Sequence, residues 1–94
     1  MTKYFFIEIK FNETIFVFNY TLECEVRKDK VYQIWNNELD VIGIGSTLKK
    51  AIDDFKEDFY EMWIQCNSKE LAPSFQKECE NNLKKLIKSI EHDK

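Results

Sequence analysis

Residues 42–66 read IGIGSTLKKAIDDFKEDFYEMWIQC. Two isoleucines alternate with two glycines, a Ser-Thr pair follows, and an apolar stripe then begins. Leu48, Ala51, Ile52, Phe55, Phe59, Met62, Trp63 and Cys66 recur at spacings of three and four, the period of one helix face. A short strand is expected to run into an amphipathic helix over 46–67. Ser46 or Thr47 suits the N-cap, where a side-chain oxygen accepts a free N–H of the first turn. Gly43 and Gly45 are read as supplying backbone angles that other residues resist. Phe55, Phe59 and Trp63 need an apolar surface to cover them, and a sheet is the expected one.

That sheet is expected in residues 1–45. Phe5, Ile7, Ile9 and Phe11 share one strand parity and Glu8 and Lys10 the other, which predicts a strand with Phe5 and Ile7 on the buried face. Asn12-Glu13-Thr14 carries turn chemistry. A second run over 15–27 buries Phe16, Phe18, Tyr20, Leu22, Cys24 and Val26. Ile15 and Val17 make its start apolar on both faces. They are candidate contacts for a second subunit, cover for the C-terminal helix, or exposed edge residues. Val31–Trp35 is a third strand, Asn36-Asn37-Glu38 a polar connector, and Leu39–Ile44 a fourth strand. Beyond the first helix, Asn67–Ala72 reads as a linker. Pro73 suits the first position of a second helix over 73–91, whose stripe is Phe75, Cys79, Leu83, Leu86, Ile87 and Ile90. His92 falls in the expected frayed tail. The fold class is therefore α+β: one domain, an antiparallel sheet of three or four strands packed by a long helix and a second C-terminal helix, in the order β-β-β-β-α-α.

The chain has 94 residues, 44% of them hydrophobic, and a net charge of −3. This is too apolar for disorder and too acidic for binding nucleic acid through bulk positive charge. Cys24, Cys66 and Cys79 fall at apolar positions without a CxxC, which reads as buried thiols in a reducing, cytoplasmic compartment. No apolar run reaches membrane-spanning length. The lone histidine has nothing to orient it, and there is no GxSxG, HExxH or phosphate-cradling glycine loop. Catalytic residues, a metal site and a cofactor are not expected. A divalent-metal nuclease would have to draw on Glu23, Glu25 or Glu38.

The notable constellation is acidic. Asp53, Asp54, Glu57, Asp58 and Glu61 crowd one side of the first helix with only Lys56 among them. Like charges at i,i+4 mildly destabilise a helix, and an ordinary solvated face is one account of them. The functional account is a docking surface for a basic protein, formed by Asp54, Glu57, Asp58 and Glu61, with Trp35 as an aromatic contact.

Tyr32, Asn37-Glu38-Leu39, Gly43, Gly45-Ser46-Thr47-Leu48, Ala51 and Phe55 together resemble the HicB-like antitoxin domain, in which a G-x-T-L-x-x-A step after three strands opens a helix. The resemblance covers about residues 16–66. It implies a degenerate ribonuclease-H-like module that masks a small basic RNA-cleaving toxin, HicA. Strand 4–11 is additional, and only one helix stands where many members carry a DNA-binding module, so direct DNA binding is not expected. The alternative is an orphan homodimeric interaction or regulatory protein that meets its second copy through Ile15 and Val17.

Overall fold

The computed structural model describes residues 2–67 and 73–92. Its elements are β1 (Thr2–Phe11), β2 (Thr14–Lys28), β3 (Tyr32–Asn36), β4 (Val41–Gly45), α1 (Leu48–Cys66), α2 (Pro73–Leu86) and β5 (Ile87–His92). The α+β class and the strands-then-helices order are as the sequence predicts. All the strands belong to one antiparallel sheet in the order β1-β2-β3-β4, with β5 paired to β2. The linker beyond Asn67 and the Phe75 side chain lie outside the described residues.

β2 is the strand with which β1, β3 and β5 all pair. Its 15 residues outrun the short β3, which reaches only Glu25–Lys28. Backbone groups of residues 14–18 would be left without partners on that side, and β5 supplies them, pairing Phe16 with Ile90 and Phe18 with Ile87. This corrects the expectation of a helix to residue 91 with a frayed His92. Leu83, Leu86, Ile87 and Ile90 fit a helical stripe, but Ile87-Lys88-Ser89-Ile90 serves equally as a strand, and the open side of β2 decides between them. The α2 helix ends at Leu86, where Asn19 Nδ2 donates to the Lys85 carbonyl at 3.1 Å and satisfies one of the unpaired last-turn acceptors.

The face of β1 is also corrected. Phe6 and Ile9 are buried, whereas Phe5 and Ile7 are 56% and 70% exposed. The pairing with β2 slips between Phe6 and Glu8. Such an irregularity exchanges the two faces midway along a strand. Strict alternation therefore misassigns the first half of β1.

The core lies between one sheet face and the two helices. Phe6 stacks on Phe55 at 5.2 Å, and the edges of Phe16 and Phe18 meet Phe59 at 5.1 and 5.7 Å. Ala51, Phe55, Phe59 and Cys66 are the buried positions of α1, and Leu83 and Leu86 of α2 join the same cluster. Thr47 is the N-cap, its Oγ1 accepting from Lys50 N at 3.1 Å. Asn12 and Glu13 both have positive φ, 52° and 65°, and form a two-residue hairpin turn.

Gly43 and Gly45 have no positive φ, so conformational freedom is not their role. Their role is close approach. A Cβ at Gly43 would stand 2.2 Å from the Ala51 carbonyl oxygen, and one at Gly45 2.5 Å from Ala51 N. The first turns of α1 lie directly on β4.

Candidate functional site

The acidic residues of α1 divide by what they touch. Asp54 Oδ2 accepts the backbone N–H of Ile44 at 2.9 Å, and Asp58 Oδ2 that of Ile42 at 3.0 Å. Among the described residues β4 is the last strand on its side, and these are its outward N–H groups. An uncovered edge invites pairing with other chains. Here two carboxylates one helical turn apart close it, with charge-assisted bonds. The glycines make this geometry possible, since only without Cβ atoms can α1 lie close enough for its aspartates to reach. Asp53 faces solvent beside Lys49, 3.9 Å away, and Glu57 is exposed.

A cleft of about 410 Å³ opens between α1, α2 and the β3–β4 turn. Glu38 and Asp40 reach it from the turn, Asp58 and Glu61 from α1, and Glu78 from α2, around an apolar floor of Leu39, Met62, Cys79 and Leu83. Its lining holds five carboxylates and no lysine, arginine or histidine. The turn is set by Asn36, which is 8% exposed: its Nδ2 donates to the Glu23 carbonyl and its Oδ1 accepts from Leu39 N, both at 2.9 Å. Asp40 closes the turn with φ 55°. Asn36, read from sequence as part of a polar connector, is thus the buried end of β3 and positions one wall of the cleft.

Compared with protein-family models, with curated proteins and with solved structures, the chain finds no match. Of the residues the sequence nominates, the cleft receives Asp58 and Glu61. Asp54 is engaged at the sheet edge and Glu57 lies outside the lining. Trp35 is on the opposite face of the sheet: it pairs between Glu25 and Ile42, while its neighbour Ile34 points into the core. Glu38, Asp40 and Glu78 complete the cleft. Sequence reasoning named Glu38 only as a candidate metal ligand and missed Asp40 and Glu78, because the turn and α2 converge on α1 only in three dimensions.

Ile15 and Val17 are half-buried on the outer sheet face, in a strand flanked by both β1 and β5. Glu23 and Glu25 share that face, where Glu23 pairs with Lys3 at 2.9 Å. The hydrogen bond and charge of Glu23 raise the Lys3 pKa. Burial, with the Glu23 charge adding to it, pushes the Cys24 thiol up to about 12. Burial likewise pushes the Cys66 thiol upward, so neither is a thiolate at neutral pH. Among the described residues no cluster of three or more His, Cys, Asp or Glu is placed to hold a metal ion, and no helix is long and apolar enough to cross a membrane.

Proposed function

We propose that the chain is a non-catalytic, HicB-like antitoxin module that binds and masks a small basic RNA-cleaving protein of the HicA type in the cytoplasm, without a cofactor. The observation that carries this reading is that every charged residue lining the α1–α2 cleft is acidic, over an apolar floor. Lysine and arginine bring both parts of the matching chemistry. Their aliphatic stems cover Leu39, Met62 and Leu83, and their charged heads meet the carboxylates. A concave acidic site also steers a basic partner during encounter, an effect that weakens with salt. The cleft supports recognition of a cationic partner. The identity of that partner rests on the family resemblance of residues 16–66.

The test is affinity capture from the native host with the wild-type chain and with a Glu61→Lys/Glu78→Lys variant, both exposed positions. The captured protein is identified by mass spectrometry and titrated calorimetrically against both forms. One small basic ribonuclease, bound by the wild type and weakened at least about tenfold by the variant, is the expected result. Equal binding by both forms would remove the cleft from the function, and absence of any basic partner would remove the antitoxin reading. The alternative, an orphan homodimeric interaction protein, is favoured by a separate feature, the edge of β1, which among the described residues pairs with no second strand.

A further inference from the structure

The sheet ends differently on its two sides. On β4 the outward N–H groups of Ile42 and Ile44 are taken up by Asp58 and Asp54. On β1, among the described residues, the edge away from β2 pairs with no strand. The direction of its backbone groups follows from two independent observations. Asn36 Nδ2 bonds the Glu23 carbonyl, so Glu23 turns its backbone toward β3 and Phe5, opposite it, turns its own outward. Ile42 turns its N–H away from Trp35, and carrying the alternation through Trp35 and Glu25 leaves Lys3 outward as well. Lys3 and Phe5 therefore present donors and acceptors along an edge whose flanking side chains, Phe5 and Ile7, are 56% and 70% exposed.

We propose that β1 is the docking site for a second copy of this chain, paired antiparallel edge to edge across a two-fold axis, so that the two sheets become one. Three features select a second copy over another partner. The outward groups of Lys3 and Phe5 can pair with their own antiparallel image. Setting Phe5 opposite Phe5 of the second copy brings two exposed apolar side chains together and places each Lys3 one step from the other copy's Glu8. The strand carries charges of both signs, Lys3, Glu8 and Lys10, and Lys3 already pairs with Glu23. It thus lacks the single-sign field that would choose an oppositely charged protein. The ten residues of β1 extend about 33 Å, and the outward-facing Lys3 and Phe5 lie on its regular part, before the irregularity between Phe6 and Glu8. The proposal does not depend on the cleft, which lies at the other side of the sheet.

The test is sedimentation equilibrium of the full chain over a concentration series, with Phe5→Lys and Phe5→Pro variants. Proline is tolerated on an edge strand where its missing N–H faced outward, so Phe5→Pro should leave the fold intact, and circular dichroism checks this. Phe5→Lys keeps the backbone and tests the side chain should the proline variant fail to fold. A wild-type dimer that both folded variants weaken at least about tenfold is the expected result. A wild type that stays monomeric throughout overturns the proposal. So does a dimer insensitive to Phe5 and instead disrupted by Ile15→Lys/Val17→Lys or by Glu61→Lys/Glu78→Lys.

Discussion

Replacing Gly43 with alanine should cost more stability than its size suggests. The added Cβ would stand 2.2 Å from the Ala51 oxygen, 2.4 Å from Phe55 N and 2.7 Å from Phe55 Cβ, against ordinary contact beginning at 3.4 Å. The nearest two obstacles are backbone atoms, which cannot rotate aside. The helix must instead retreat from β4 by roughly 1 Å, a gap that forfeits up to about half of each affected dispersion contact. Ala51, Phe55 and Phe59, all fully buried, would lose packing together. The Asp54–Ile44 and Asp58–Ile42 bonds, at 2.9 and 3.0 Å, would stretch beyond useful length. Overpacking costs about 1–3 kcal/mol and occasionally more, and the rigid obstacles put this site at about 3 kcal/mol. A chain of this length has roughly 5–14 kcal/mol in all. At about 4–8 °C per kcal/mol, the melting temperature should fall by roughly 12–24 °C. Urea denaturation followed by tryptophan fluorescence measures the loss. Ile44→Ala is the control: its side chain is 47% exposed on the other face, and its cost should stay within about 1 kcal/mol. A Gly43→Ala variant that loses less than about 1 kcal/mol would refute the close-approach account of the glycines.

Phe59→Ala removes a ring with no exposure, held between Phe16 and Phe18; a loss of about 3–5 kcal/mol is expected, and a chemical-denaturation midpoint near wild type would contradict it. Glu13→Gly should stabilise by about 0.5–1 kcal/mol, because glycine adopts φ 65° without a Cβ penalty, and thermal melting would show a rise of a few degrees. Asp54→Ala with Asp58→Ala should cost about 1–3 kcal/mol in total and promote self-association through the uncovered β4 edge, which light scattering reads; a monodisperse variant of unchanged stability would contradict the edge-closing role. Raising pH should destabilise through Cys24. Its thiol is pushed up from 9.0 to about 12 in the fold, so the unfolded state alone loses this proton between those values, and this thiol should contribute a fall of about 1.4 kcal/mol per pH unit there, beside that of Cys66. A Cys24→Ser variant with the same pH slope would show that other groups set it.

The acidic residues show how far sequence reasoning reached into the candidate site. The density of carboxylates on α1 is visible in the one-dimensional pattern, and Asp58 and Glu61 do line the cleft. Their division of labour is not visible, since Asp54 and Asp58 acquire their backbone partners only when β4 lies beneath α1. Glu38, Asp40 and Glu78 come from elements distant in sequence, and no local period marks such a convergence.

Local physics in the sequence determined the strands-then-helices order, the α1 stripe with a cap at Ser46 or Thr47, the turn at Asn12-Glu13-Thr14 and the burial of Cys24 and Cys66, though Cys79 is only half-buried, because period, capping chemistry and apolarity act over a few residues. Tertiary structure decided the rest. It turned residues 87–92 from helix to strand, since β2 left backbone groups to be paired there. It exposed Phe5 and Ile7 through a register slip with β2. It made Gly43 and Gly45 a matter of interlayer distance instead of backbone angle. In each case the deciding energy belongs to a contact between separate elements, and such a contact leaves no signature in the local pattern.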